Sequence, residues 1–242
     1  MAQNVYDNPV FFARYSQLPR QVQGLTGAPE WPMMRAVLPG LRGKRVVDLG
    51  CGMGWASRFM RDEGAASVLG LDLSQTMIAR AQAASSDPAI TYAIADLEQL
   101  ELPAHSYDLA FSMLAFHYVA DFARLVAVIR QSLVQGGQFV FSIEHPIFMA
   151  AAKPRWIQDG DGKKSWSVNS YALEGVRRTD WFVPDVVKYH RTVATTLNTL
   201  IAAGFCIRRI EEFAPTKAQI EDMPALAEEL ERPMMLVISA SA

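Results

Sequence analysis

Cysteine is nearly absent: Cys51 and Cys206 are the two thiols in a chain of 242 residues. Two thiols so far apart make neither a disulfide framework nor a zinc site. No apolar run reaches the roughly 18 residues that a membrane-crossing helix needs, so no membrane association is expected. The opening Met1-Ala2-Gln3-Asn4-Val5-Tyr6-Asp7 lacks the basic and apolar regions of a signal peptide. Together these absences predict a cytoplasmic, reducing setting. An excess of one charge is missing as well. The 23 Lys+Arg stand against 25 Asp+Glu, a net charge of −2, which argues against a nucleic-acid partner. The charges are unevenly spread, however. Residues 150–191 carry eight basic and five acidic side chains, and residues 211–231 carry seven acids and one lysine. Both stretches read as solvated faces. Attraction of an anionic substrate by the basic one is the alternative.

Half of the chain is apolar, ample for a core, and the length suits one large domain. Residues 1–43 are punctuated by Pro9, Pro19, Pro29, Pro32 and Pro39, which predicts short, broken helices. From Lys44 the rhythm changes to short apolar strands alternating with amphipathic helices. Strands are expected at Arg45–Leu49, Val68–Leu71, Ile90–Ala95, Tyr107–Ser112 and Gln138–Ile143. Helices are expected from Trp55 to Gly64, from Ser74 to about Ser85 with Ser74 as N-cap, and from Asp121 to Leu133. In the last of these Phe122, Leu125, Val126, Ile129 and Leu133 form one apolar stripe. Residues 145–188 show no long period and hold three of the five tryptophans. A final helix presents Val193, Leu197, Leu200 and Ile201 on one face and is begun by His190. Strands at Phe205–Glu211 and Met234–Ser239 then bracket the acidic stretch as a hairpin. The pattern implies βαβ units and a mostly parallel sheet.

Asp48-Leu49-Gly50-Cys51-Gly52-Met53-Gly54 closes the first strand and opens the first helix. Glycine at every second position lets the backbone turn sharply and lets a ligand lie against it. A dinucleotide site wants G-x-G-x-x-G, and the sixth position here is Trp55, which disfavours a nicotinamide oxidoreductase. The G-x-G-x-G form, with an acid two residues before the first glycine, resembles motif I of the class I S-adenosylmethionine-dependent methyltransferases. Leu71-Asp72-Leu73-Ser74, Ala95-Asp96-Leu97, Tyr107-Asp108-Leu109-Ala110-Phe111-Ser112 and Leu133-Val134-Gln135-Gly136-Gly137 continue the likeness in order over residues 44–144. Within the class the chain resembles the type 11 group, which includes ubiquinone-biosynthesis-like enzymes.

The resemblance implies an α/β fold: a Rossmann-like, doubly wound, seven-stranded and mostly parallel sheet with an antiparallel last strand. An N-terminal helical cover and an insertion after strand five complete it. It also implies S-adenosylmethionine as cofactor and S-adenosylhomocysteine as product. Gly50, Cys51, Gly52 and Gly54 are then expected to lie against the methionine part of the cofactor, with Asp48 pairing with its ammonium. Asp72 is expected to accept the ribose hydroxyls, and Asp96 the adenine amino group beside the Leu97 amide. Leu73, Met77 and Met113 are expected as apolar walls. Tyr6, Tyr15 and Arg20 of the N-terminal segment are candidates to meet the cofactor carboxylate. Their alternative role is to pack that segment down.

Four histidines are present. His105 lies in a polar loop. His117, just after the fourth strand, and His145, at the end of the fifth, are the candidates for a base or a substrate contact, with Glu144 a third. Ser112-Met113-Leu114-Ala115 stands where amide and base-amino methyltransferases carry Asn/Asp-Pro-Pro-aromatic, so the acceptor is expected to be a small, partly aromatic molecule. No paired-carboxylate metal site is evident, and no metal is expected. The plan is one domain, 1–242: a core from 44–144 and 189–242, a cover at 1–43, and a substrate lid at 145–188. For the lid, a satellite core or a homodimer contact is the alternative. Methyl transfer to an O, N or C nucleophile is the leading reading, and a non-catalytic cofactor-binding module acting through a protein partner is the other.

Overall fold

The computed structural model describes residues 3–242; Met1 and Ala2, with which the expected cover and opening segment begin, lie outside the described residues. The proline-rich start folds into α1 (Pro9–Tyr15), α2 (Pro19–Val22) and α3 (Trp31–Ala36). Each has proline in its first turn, where a missing N–H leaves no helical bond unmade. Next come β1 (Arg45–Leu49), α4 (Trp55–Asp62), β2 (Ser67–Asp72), α5 (Gln75–Ala83), β3 (Ile90–Ile94), β4 (Tyr107–Met113), α6 (Phe122–Ser132) and β5 (Leu133–Glu144). The insertion holds α7 (Pro146–Met149) and two antiparallel pairs, β6 (Trp156–Gln158) with β7 (Lys164–Trp166), and β8 (Gly175–Trp181) with β9 (Val183–His190). The chain ends through α8 (Val193–Ala202), β10 (Cys206–Glu212), α9 (Lys217–Asp222) and β11 (Met235–Ser241). None of the described helices is long and apolar enough to cross a membrane.

Seven strands form one sheet in the order β3-β2-β1-β4-β5-β11-β10. β11 runs antiparallel to both β5 and β10, and the other pairings are parallel. The expected doubly wound sheet is therefore present, with its antiparallel last strand lying inside the sheet next to β5. Side chains alternate across it as a period of two requires. Val47, Ala110 and Phe139 face α6 and α8, packing with Leu125, Ile129 and Leu200. Val46, Leu109, Phe111 and Val140 face the other way, onto Met34 of α3 and Met60 of α4. A sheet covered on both faces reads in sequence as near-continuous apolar runs.

Three elements depart from the sequence expectation. β5 starts at Leu133, because that residue already leaves the helix extended and pairs with Tyr107 before the ladder shifts register. Residues 145–188 carry the two strand pairs where no period was legible. His190 ends β9 rather than opening α8, and Ile201 is 57% exposed, outside the apolar stripe that Leu200 anchors.

The N-terminal segment is tied to α5. Ser74 caps α5 by accepting the Met77 N–H at 3.1 Å, and Asp7 reaches over to accept from Ser74 Oγ and from the Gln75 and Thr76 N–H groups. Burial pushes the Asp7 carboxyl up, but the bonds from Ser74 and Thr76 overcome this and hold its pKa at about 2. A negative charge at a helix N-terminus is favourable. Asp7 is exposed, so its contribution is screened, and Asp7→Ala should cost about 1 kcal/mol at neutral pH. An acid with a depressed pKa gives stability above its unfolded value, so the gap to wild type should close as pH falls from 3.8 through about 2. Urea unfolding across that range checks both parts.

Candidate functional site

The chain leaves β1 toward β2 and β3, then returns to build β4 on the opposite side. Such a switch point opens a crevice beyond the carboxyl ends of the strands. A cavity of about 540 Å³ lies there, walled by the β1–α4 loop, the ends of β2, β4 and β5, and both covers.

The loop is held in shape by its own backbone. The Gly50 and Cys51 N–H groups donate to the Leu71 carbonyl of β2 at 2.7 and 2.9 Å. Gly50 has φ +76°, and a Cβ there would stand 2.4 Å from that of Ala115. Gly52 has φ +54° and faces open space, so a Cβ there would fill the cavity itself. Asp48 is 1% exposed and accepts from Ser57 Oγ at 2.6 Å. Burial, with Asp72 adding to it, pushes its pKa up to about 7. Asp72 accepts the Gly52 N–H at 2.8 Å and the Ser74 N–H at 2.9 Å. Burial raises its pKa above the usual carboxylate range despite those bonds. A buried acid, Asp48, and a half-buried one, Asp72, beside an open glycine cradle favour a ligand bearing a cation and hydroxyl donors.

Of the predicted residues, Tyr15, Arg20, Asp48, Gly50, Cys51, Gly52, Asp72, Met77, Met113 and His117 line the cavity, as do Tyr6 and Glu144. Leu73, Gly54, Asp96, Leu97 and His145 do not. Gly54 turns its carbonyl to the Tyr92 hydroxyl at 3.4 Å, and the Leu73 carbonyl accepts from Asn4. Asp96 folds back onto the Glu98 N–H at 3.0 Å, and Leu97 packs on the core. Both ring nitrogens of His145 are engaged: Nδ1 accepts the Ile147 N–H that starts α7, and Nε2 donates to Glu212 at 2.8 Å. His145 is a clip between elements. Arg20 reaches the wall, but its guanidinium is held in a bidentate pair with buried Glu30 at 2.8 and 3.1 Å. Tyr15 Oη accepts from Gln21, and burial pushes its pKa up to about 12.

The far end of the cavity carries a cluster that sequence reasoning found only in part. Glu144 Oε1 accepts from Lys188 Nζ. His117 Nδ1 accepts the Glu144 N–H at 3.4 Å, while its Nε2 stands 3.9 Å from Oε1. Burial lowers the His117 pKa to about 4 although Glu144 opposes this, so the ring is neutral at pH 7. With Nδ1 accepting, the neutral ring carries its hydrogen on Nε2 and turns no free lone pair to the cavity. Burial works to raise the Glu144 pKa, but the charge and hydrogen bond of Lys188 oppose it, and the carboxyl lies below its ordinary value. Lys188 comes from β9, where Val186, Lys188 and His190 alternate onto the buried face.

The two covers meet around this end. Phe11 packs edge-on against Trp181 and Phe182, and the Tyr6 hydroxyl donates to that of Tyr118 at 3.1 Å. Behind Phe148 of the wall, Arg232 sits 4.5–5.3 Å from the ring centres of Trp166, Phe148 and Trp156 and pairs with buried Glu229 at 2.7 Å. It ties the β6–β7 hairpin to the C-terminal segment. Gln21 Oε1, Trp55 Nε1, Glu144 Oε2 and Thr179 Oγ1 are wall-residue atoms buried with no partner. Buried polar atoms are rarely left so, and four around one cavity mark a site for a polar ligand.

Residues 47–141 match the family model for a methyltransferase domain, Methyltransf_11. A crystal structure of an S-adenosylmethionine-dependent methyltransferase from Mesorhizobium loti is 57% identical, covers 90% of this chain and all of its own, and superposes with a TM-score of 0.88. An uncharacterised protein of Haemophilus influenzae is 34% identical over 98% of this chain and 96% of its own. The malonyl-[acyl-carrier protein] O-methyltransferase of Pseudescherichia vulneris is 37% identical, over 46% of this chain and 43% of its own.

Proposed function

Because this chain belongs to the S-adenosylmethionine-dependent methyltransferases, we propose that it methylates a small molecule seated in the cavity between the glycine loop and Glu144. The cofactor, when bound, supplies an electrophilic methyl group on a sulfonium. The open cradle at Gly52 and the raised acids Asp48 and Asp72 suit its cationic and ribose parts. Asp48 is assigned to the ammonium, Asp72 to the ribose hydroxyls, and Met77 and Met113 to the apolar wall. Asp96 and Leu97 lie outside the cavity wall, so their assignment to the adenine edge requires Asp96 to exchange its bond from the Glu98 N–H for the adenine amino group.

The observation that carries this reading is the continuity of one cavity from the glycine loop to the Glu144–Lys188 end. Its volume falls in the range of small-molecule sites, about 300–1,000 Å³. Alignment of acceptor and methyl group is the main contribution asked of the protein. Residues 1–43 and 145–188 act as cofactor cover and substrate lid. Titration calorimetry with S-adenosylmethionine and S-adenosylhomocysteine tests the premise. Saturable 1:1 binding of both is expected, and absence of heat with either overturns it.

A further inference from the structure

Glu144 and Lys188 form a paired acceptor and donor at the end of the cavity away from the glycine loop. Both line it, and their side chains are 15% and 6% exposed. Glu144 spends Oε1 on Lys188 and leaves Oε2 buried and unpartnered. Lys188 has three N–H donors, and among the described residues its one hydrogen-bond acceptor is Glu144. Its ammonium otherwise lies 5.0 Å from the ring centre of Trp181 and 5.8 Å from that of Tyr118. One free acceptor and free donors thus stand side by side in a desolvated pocket.

The chemistry of that pair selects what it holds. A hydroxyl both donates and accepts, so it gives its hydrogen to Glu144 Oε2 and takes one from Lys188 Nζ. A carboxylate only accepts, and Glu144 repels it. An alkylammonium only donates, and Lys188 repels it. Mismatched charge in a buried site is costly, whereas a neutral group that satisfies both partners is not. Beside the pair the wall carries Met235, the strand partner of Glu144, and Trp181, next to Lys188.

We infer that Glu144 and Lys188 are the acceptor-recognising residues and that the methyl acceptor is a neutral hydroxyl on an apolar, aromatic body. This rests on the methyltransferase reading and narrows its nucleophile to oxygen. The substrate oxygen would bond to the methyl carbon as the methyl–sulfur bond breaks and its electron pair leaves with sulfur, while the hydroxyl proton passes to Glu144 Oε2 and Lys188 Nζ donates to the same oxygen. His117 is a positioning residue. Its Nδ1 fixes the Glu144 backbone, and it is not the base.

The test titrates 2-naphthol, 2-naphthoate and 2-naphthylmethylammonium, one apolar body with three polar groups, into the full chain by calorimetry, with and without S-adenosylhomocysteine. Wild type should bind the naphthol at least about tenfold more tightly than either ion, the value of one hydrogen bond to a charged group. Glu144→Gln should shift preference toward the naphthoate, because Lys188 then lacks its counter-charge. Lys188→Met should shift it toward the ammonium. S-adenosylhomocysteine affinity should stay unchanged in both. Equal binding of the three probes, no binding of any, or an order that neither substitution alters overturns the assignment. If either variant misfolds, the wild-type preference decides. Failure of S-adenosylhomocysteine to bind wild type would instead strike the methyltransferase premise, and the titrations without it still report on the pair.

Discussion

Asp72→Ala is expected to weaken S-adenosylhomocysteine binding by about a hundredfold, the loss of two hydrogen bonds from ribose hydroxyls to a half-buried carboxylate. Two separate effects contribute. The carboxylate is the assigned ribose acceptor, and it also fixes the loop by accepting the Gly52 and Ser74 N–H groups. Deleting it leaves those donors without partners at the point where the cradle must stay open. The 2′-deoxy analogue of S-adenosylhomocysteine separates the effects. Wild type should discriminate against the analogue, whereas Asp72→Ala should bind both equally weakly, since the partner of the missing hydroxyl is gone. A variant that still discriminates places the ribose elsewhere. An unchanged affinity removes Asp72 from the site altogether.

What was legible in the sequence is what local pattern encodes. The order of strands and helices followed from apolar runs and capping residues: Ser74 and Asp121 cap α5 and α6 as expected. The glycine loop, Asp48 and Asp72 were singled out by their resemblance to a known motif, and the structure brings them to one cavity wall. The missed parts join segments far apart in the chain. Asp7 serves α5 from 67 positions away, and Lys188 meets Glu144 across 44. Arg232 fills a cage of three aromatics from the insertion. Nothing local marks a lone Asp, Lys or Arg as a long-range partner. The same limit applies to His145, whose position at the end of β5 suggested catalysis and whose nitrogens in the structure meet Ile147 and Glu212.

Arg20 shows how such a partner changes the expected outcome of a mutation. Read from the sequence it is a ligand contact, and its loss would be felt in binding. In the structure its guanidinium neutralises Glu30, whose side chain has no exposure. Burial works against the charge on Arg20, yet Glu30 outweighs this and raises its pKa above the usual arginine value. Arg20→Ala would leave the Glu30 carboxylate buried without a counter-charge, and breaking a buried pair on one side costs about 3–5 kcal/mol. That is a large share of a domain's total stability of about 5–15 kcal/mol. Replacing both members with apolar residues removes the stranded charge, so Arg20→Met with Glu30→Leu should be more stable than Arg20→Ala despite losing more polar contacts. Urea midpoints of the single and double variants at one pH decide the matter. A double variant no more stable than the single one would show that the pair is not the origin of the loss.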